Sequence, residues 1–552
     1  MHTRVGLQGK NWLGQKPSNW LLFALKMLLY WMVNGADGGA VVLIHLDRKS
    51  GDPLYAQIAN YVRRLIETEA LKAGVKLPAT RELAVDLGVD RATIVAAYDE
   101  LVAQGFATAH VGQGTFVAVR APRGPQYQAE PTQAENSPGD INWQQCFSRA
   151  ARISTDWRPP DVSGYGTREA MISFAGGMPD SSLFPIDAFR QVMHEVLRTE
   201  GQTLLQYSPA SGYPPLRRYL ADYLVRKGIV VSEADILIVN GSQQGLDLVA
   251  RTLLDPGDRV VVEGPSYPGA LQIFRAYQAE VLTVPVGDDG IRRDLVEGLL
   301  HRLAPKCLYV MPTFQNPTGA TVSLEGRREL LAIAAKAQVP IIEDDFHNEL
   351  RYDGTPVIPL RGLDRKGLVI AIGTFSKILF PGLRVGWIVA PPEVMERLIV
   401  AKRVSDFHTS ALIQAAIYHF CRRRLLDRHM ERMRLEYRRR RDILLEALSR
   451  YCPPNVTWTH PQGGFSLLLT LPPGLDTQSL LPEAASAGVL YTPGILFYAD
   501  GGGRHQLRLS FSEVPAERIA EGVQRLSSVI QAAIQSGRRL RSADRQEGPP
   551  LV

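Results

Sequence analysis

Lys377 lies in a small, polar turn, and Arg384 follows it seven residues later. A primary amine can condense with an aldehyde, and a fixed guanidinium can hold a phosphate dianion. The pair therefore suits pyridoxal 5'-phosphate (PLP), which carries both groups. By themselves two cations equally fit a surface loop. Four further pieces precede them. Gly241, Ser242 and Gln243 occupy a strand-to-helix turn, where free amides and the helix dipole favour a phosphate. Tyr267 sits in a Gly-Pro loop and offers an aromatic face for stacking on a pyridine ring. Asn316 precedes Pro317 in a tight turn and can aim an amide at a phenolic oxygen. Asp344 ends an apolar run and can keep a pyridine nitrogen protonated, which makes the ring a better electron sink. Each piece singly has a plainer reading as a turn, a packing residue or a helix cap. The order of the set is what makes it specific.

The elements that must position these residues are legible as short apolar runs at 236–239, 259–263, 307–310, 340–343 and 368–372. Helical segments at 245–254 and 324–337 lie between them. Such alternation predicts an α/β fold with a mostly parallel sheet covered on both faces. Each candidate residue then falls at the carboxyl end of a strand.

A chain of 552 residues exceeds one core, so more than one domain is expected. The boundaries predicted are an extension (1–40), a first domain (41–119), a linker (120–170), a large second domain (171–535) and a disordered tail (536–552). The linker is rich in Pro, Gly and polar residues between Ala121 and Asp140 and cannot bury a core. Charged residues make up 21% and hydrophobic ones 45%, normal for a water-soluble protein, and the net charge of +6 permits but does not demand nucleic acid. The four cysteines show neither metal-ligand nor disulfide spacing, so no metal is expected and a reducing cytoplasm is. Residues 20–33 are apolar but short for a membrane span, and Lys26 interrupts them. The reading preferred is an extension outside both domains, as from an upstream start codon, and membrane attachment is not expected. Residues 422–441 are dense in arginine at helical spacing, which reads as a solvated helix face or a salt-bridged subunit contact in preference to a nucleic-acid stripe.

In the first domain a helix is predicted over 53–69. A second begins after Thr80, with Thr80 as its cap, and ends at Gly88. A third runs over 91–103 behind an Asp90 cap, with Ile94, Val95, Tyr98 and Leu101 or Val102 facing inward. Two short helices joined by a glycine turn make a helix-turn-helix. Strands at 106–110 and 115–119 around Gly112, Gln113 and Gly114 make a wing. The third helix would enter a major groove with Arg91 and Thr93 at its amino end, while Arg81 holds the backbone. Acidic and basic residues are nearly balanced here, so a protein-interaction module fits the same pattern.

The run from Leu77 through Ala84, the run from Val89 to Tyr98, and the Gly-Gln-Gly-Thr-Phe wing closely resemble the winged helix of GntR-type bacterial regulators. That resemblance implies DNA contacts at Arg81, Arg91, Thr93, Gly112, Gln113 and Gly114. The five pieces of the second domain resemble the fold type I PLP enzymes, the aspartate aminotransferase superfamily. By that resemblance Lys377 is the Schiff-base lysine, Asp344 the pyridine-nitrogen partner and Asn316 the phenolic-oxygen contact. Tyr267 stacks, and Ser242, Gln243, Thr374 and Arg384 hold the phosphate. Tyr207 is the tyrosine that reaches a partner's phosphate in a head-to-tail homodimer, and Arg508 the arginine for a ligand carboxylate. One departure stands out. The family often has a tyrosine two or three residues after the aspartate, and here that position is read as Phe346.

Together the two resemblances imply a MocR-type regulator: a winged helix-turn-helix followed by a fold type I, aspartate aminotransferase-like domain. The function implied is cytoplasmic, nucleoid-associated control of transcription. A DNA operator and PLP with an amino-acid or amine effector would be its partners. The alternative is a working aminotransferase on an amino acid, with turnover expected to be weak because Phe346 lacks the hydroxyl.

Overall fold

The computed structural model describes residues 53–67, 71–110, 114–118, 141–153 and 171–536. Residues 20–33, Gly112, Gln113, most of the 120–170 stretch and 537–552 lie outside them. The chain divides into two compact units, Met1–Ile141 and Asn142–Val552. No helix among the described residues is long and apolar enough to cross a membrane.

The smaller unit contains α1 (Leu54–Glu67), α2 (Thr80–Leu87), α3 (Arg91–Ala103), β1 (Ala107–His110) and β2 (Gly114–Val117). Its core joins Ile58 and Val62 of α1, Leu83 of α2, and Ile94, Ala97, Tyr98 and Leu101 of α3. These residues recur three or four apart, the spacing that puts them on one helix face. Burying a side chain such as Leu83 fully stabilises by about 1.5–3 kcal/mol. The Tyr98 hydroxyl donates to the Pro78 carbonyl at 2.9 Å and so ties α3 to the segment before α2. Gly88 closes α2 in the left-handed region (φ 61°) and sends the chain into α3. β1 and β2 pair antiparallel from Ala107 opposite Val117 to His110 opposite Gly114.

Two local expectations fail. Val95 is 38% exposed, because the inward face of α3 is already filled by Ile94, Ala97, Tyr98 and Leu101, the last being the one of Leu101 or Val102 that turns in. Thr80 opens α2 rather than capping it, and neither Ala79 nor Asp90 supplies a side-chain cap. The Thr80 hydroxyl accepts instead from Arg91 Nε at 3.4 Å, across the turn.

In the larger unit the central elements are β3 (Ile236–Val239), α4 (Ser242–Leu253), β4 (Arg259–Gly264), α5 (Pro268–Ala276), β5 (Glu280–Gly287), β6 (Gly290–Ile291), β7 (Cys307–Val310), α6 (Leu324–Ala337), β8 (Ile341–Asp345), β9 (Val369–Thr374), β10 (Gly386–Val389), α7 (Pro392–Asp406) and α8 (Leu425–Tyr451). The strands form one eight-stranded sheet in the order β3-β10-β9-β8-β7-β4-β5-β6. Its interior is parallel from β9 through β5, while β10 runs antiparallel to both neighbours. The sheet is mixed rather than uniformly parallel. Every residue of β3, β7, β9 and β10 is buried. Successive side chains serve opposite cores: Ile236 and Ile238 pack in one cluster, Leu237 and Val239 in another. That is why these strands read as unbroken apolar runs.

Most of the arginine-dense stretch is the solvated face expected, with Arg422, Arg423, Arg424, Arg428, Arg432, Arg438 and Arg439 exposed, but two arginines of α8 turn inward. Arg440 pairs with Asp180 at 2.7 Å and with Glu436 at 2.7 Å, and Arg441 binds Asp353 and Asp442. Arg440 and Arg441 are buried within this chain, so they are neither a solvated face nor a subunit contact.

Candidate functional site

β3, β4, β7, β8 and β9 all end at the same edge of the sheet, where an open α/β sheet offers a crevice. β10 runs the other way, so its beginning, next to Arg384, lies at that edge too: Gly386 pairs with both Thr374 and Val239. One pocket there is lined by Gly177, Ser242, Tyr267, Asn316, Asp344, Phe346, His347, Lys377, Phe465, Ser466 and Arg508.

The Lys377 amine donates to the Gly177 carbonyl at 2.8 Å. Burial pushes its pKa down to about 8, and the nearby Arg508 and Arg384 cations add to the shift. A larger share of this lysine is therefore neutral and nucleophilic near pH 7 than of an exposed one.

Asp344 accepts from the Tyr309 hydroxyl at 2.8 Å on one oxygen. Its other oxygen, Oδ1, is buried without a partner. Burial raises the Asp344 carboxyl to about 7, and Asp345 adds to the rise. Behind it Glu263, also buried, is raised to about 8 by burial.

The phosphate-sized end is built from three elements. Gly241, at φ 87°, precedes Ser242, the first residue of α4. A Cβ on Gly241 would stand 2.8 Å from Arg384 Nη2, so only glycine lets the guanidinium come this close. Arg384 donates to the Asn240 carbonyl at 3.0 Å. Gln243 accepts from the Tyr267 hydroxyl at 3.0 Å and fixes that ring. Thr374 accepts from the Ser376 amide at 3.0 Å and shapes the turn before Lys377. Lys402, fully buried on α7, donates to Gln244 at 2.9 Å and to Asp406 at 2.7 Å, which anchors the first turn of α4 from behind.

Arg508 lies on the strand Gln506–Ser510 of a separate four-stranded sheet. It donates to Asn316 at 3.2 Å and to the Ala175 carbonyl at 3.0 Å, while its Nε is buried without a partner. A second, larger cleft shares Tyr267, Asn316 and Arg508 with the pocket and continues along Ile495, Leu496, Phe497 and Tyr498.

Tyr207 is not brought into this pocket. It is 86% exposed, beside Phe407 and His408. In the smaller unit Arg81 and Arg91 are exposed at the starts of α2 and α3, Thr93 is half-buried, and Gly114 opens β2.

Sequence reasoning missed three neighbours: Gly177, which receives the Lys377 amine; Tyr309, which holds Asp344; and His347 in the pocket wall. A glycine strap and a strand tyrosine carry no local signal. His347 had one, since it stands three residues beyond Asp344, within the interval where a tyrosine is common in the resembled family.

The residues fit PLP. A pyridine N–H can satisfy the orphaned Asp344 Oδ1, an aldehyde can meet the Lys377 amine, and the cup of Ser242, Gly241 and Arg384 can take a phosphate. Fold and site together define a fold type I PLP-binding protein. The model for aminotransferase class I and II matches residues 171–526, and the model for bacterial regulatory proteins of the gntR family matches residues 54–117. The chain belongs to the MocR-type regulators, in which a GntR winged helix precedes an aminotransferase domain. It is 30% identical over 496 residues to the probable rhizopine catabolism regulatory protein MocR of Rhizobium meliloti, covering 90% of this chain and 97% of that one. It is 41% identical to aromatic-amino-acid aminotransferase 1 of Thermococcus litoralis over 366 residues, covering 65% of this chain and 88% of that one. Among solved structures, the multiple substrate aminotransferase of Thermococcus profundus superposes with a TM-score of 0.68 at 38% identity, covering 72% of this chain and all (100%) of that one.

Proposed function

We propose that this protein binds operator DNA through its winged helix, and that PLP together with an amino-acid effector in the larger unit controls that binding. The observation that carries the reading is the pairing, in one pocket of a chain with a winged helix, of the Lys377 amine with the unpartnered Asp344 Oδ1. When bound, PLP supplies an aldehyde for an amine and a pyridinium ring that accepts electron density. Lys377 acts as the attaching amine and Asp344 as acceptor for the ring N–H. Asn316 addresses the phenolic oxygen and Tyr267 covers the ring face. Ser242, Gln243, Thr374 and Arg384 hold the phosphate. Arg508 takes a ligand carboxylate, and the cleft along Ile495, Leu496 and Phe497 suits an apolar side chain. In the smaller unit Arg81, Arg91 and Thr93 face DNA, with Gly112, Gln113 and Gly114 at the wing tip. The protein acts in the cytoplasm, on the nucleoid. A homodimer completes each site with Tyr207 of the other chain. The exposed aromatic pair Tyr207 and Phe407, beside exposed Val404, supports such an interface. A dimer also presents two winged helices to paired half-sites. A ligand shifts DNA affinity only by binding the two arrangements unequally.

The test is an operator titration of the full chain with and without PLP, and with apolar amino acids added. We expect a change of at least about fivefold in DNA affinity, the low end of ordinary coupling. Arg508→Ala should abolish the response to carboxylate-bearing ligands and leave PLP bound. A second reading, transamination, is favoured by the 41% identity to an aromatic aminotransferase over the larger unit alone. Sustained turnover, with no DNA segment near the gene retained, would put that reading in place of the first.

A further inference from the structure

Among the described residues nothing takes up the Nδ1 of His347. His347 follows β8 directly after Phe346 and lines the pocket that holds Lys377, Asp344 and Asn316. It is 4% exposed, and its Nδ1 is buried without a partner. Three aromatic rings pack around it. It stacks on Phe346 with centroids 3.6 Å apart, and Phe314 and Phe465 meet it edge-on at 5.8 and 5.7 Å. Gly464 gives it room: a Cβ there would lie 3.1 Å from Nε2. Burial, with the Lys377 charge facing it, holds the imidazole well below its ordinary pKa, so it is neutral. A neutral imidazole offers one donor and one acceptor. Burying such a ring without partners is unfavourable, and phenylalanine would fill the same aromatic nest without that cost. An aromatic cage around a polar ring with an orphaned nitrogen, open to a ligand pocket, is explained when the partner is the ligand.

We propose that His347 is a cofactor-contacting residue, whose ring nitrogen hydrogen-bonds the phenolic-oxygen edge of bound PLP and fills the role left open by Phe346. The inference rests on the PLP reading of this pocket. Asn316 then shares that edge with an imidazole in place of a hydroxyl. The substitution at Phe346 therefore does not leave the oxygen one partner short.

The test uses the purified full chain, stripped of cofactor and titrated with PLP. Two quantities are read: PLP affinity, and the pH midpoint of the bound cofactor's visible absorbance. His347→Phe should weaken PLP binding about tenfold and raise the midpoint by about one unit, as expected for loss of one bond to a charged oxygen. His347→Tyr should restore both, because a hydroxyl again reaches the pocket. Thermal melting checks that each variant is folded. If His347→Phe is folded and matches wild type in both quantities, the ring only packs and the inference is wrong. Phe346→Tyr in the native background decides the matter without altering His347. It should move the midpoint little if His347 already makes the bond, and a fall of about one unit would show the place empty. Failure of wild type to take up PLP through Lys377 would sink the cofactor reading itself, a result distinct from either outcome above.

Discussion

The Lys377 amine reacts as a neutral base, and its environment sets how much of it is neutral. Burial first, then Arg508 and Arg384, bring its pKa down to about 8. The neutral fraction rises with pH through that value and then levels off. We therefore expect the rate of PLP attachment to climb up to about pH 8 and flatten above it, rather than climbing to the range of an exposed lysine near 10.4. Stopped-flow absorbance across pH measures this, and Lys377→Ala should show no covalent attachment at all. A rate still rising tenfold per unit above pH 9 would mean that the amine is not desolvated. Lys377 and its chemistry were legible in the sequence because amine, turn and arginine lie within one short segment. His347 carried only the hint of its distance from Asp344, because a histidine two residues past a strand packs as often as it binds, and the aromatic nest around it makes the difference.

At the level of elements, the cup proposed for the phosphate depends on where α4 begins. Gly241 holds φ 87°, and Arg384 closes over its hydrogen. Gly241→Ala should cost about 1–2 kcal/mol of backbone strain and push Arg384 aside, so PLP affinity should fall at least about tenfold. Fluorescence titration with PLP reads it; unchanged affinity would move the phosphate site elsewhere. In the smaller unit the exposed start of α3 can be separated from the core that supports it. Ile94→Ala removes a fully buried core residue of α3 and should destabilise that unit by about 2–5 kcal/mol. Arg91→Ala removes an exposed charge and should leave folding intact while DNA retention falls and its salt dependence flattens. Chemical denaturation of the two variants, alongside gel retardation, tells the effects apart. The periodicities that define α2 and α3 were readable locally. The outward turn of Val95 was not, because a helix face fills from whichever neighbours arrive, and α1 and α2 left no room for it.

For the molecule as a whole, the sheet that carries the site buries several acids. Burial raises Glu263 to about 8, and Glu343 and Asp344 to about 7, from ordinary values of 4.5, 4.5 and 3.8. Without cofactor, the folded state keeps protons that the unfolded chain releases. These three acids thus bind more protons in the folded protein between the ordinary values and the raised ones, and their contribution to stability falls as pH rises through that window, outweighing the opposite contribution of the buried His347 and His429. The melting temperature of PLP-free protein should therefore be lower at about pH 7.5 than at about pH 5.5, and Asp344→Asn should reduce the difference. PLP should reduce it too, since a pyridinium N–H gives Asp344 Oδ1 a partner. Calorimetry of the four combinations measures this, and equal melting temperatures at both pH values would contradict it.

By itself the sequence determined the order of the parts: a winged helix, then an α/β unit whose strands end in a phosphate turn, an aromatic ring, an amide, a carboxylate and an amine. These were legible because each depends on a few adjacent residues and on the period of its own strand or helix. Only the tertiary structure decided which of them meet. Arg384 arrives because β10 reverses and begins where the other strands end. Arg508 arrives from a second sheet, Gly177 from a strap near the start of the larger unit, and Tyr309 from the neighbouring strand to hold Asp344. Tyr207 stays outside the pocket of its own chain. Such meetings depend on strand order and packing between distant segments, and no local window of sequence contains that information.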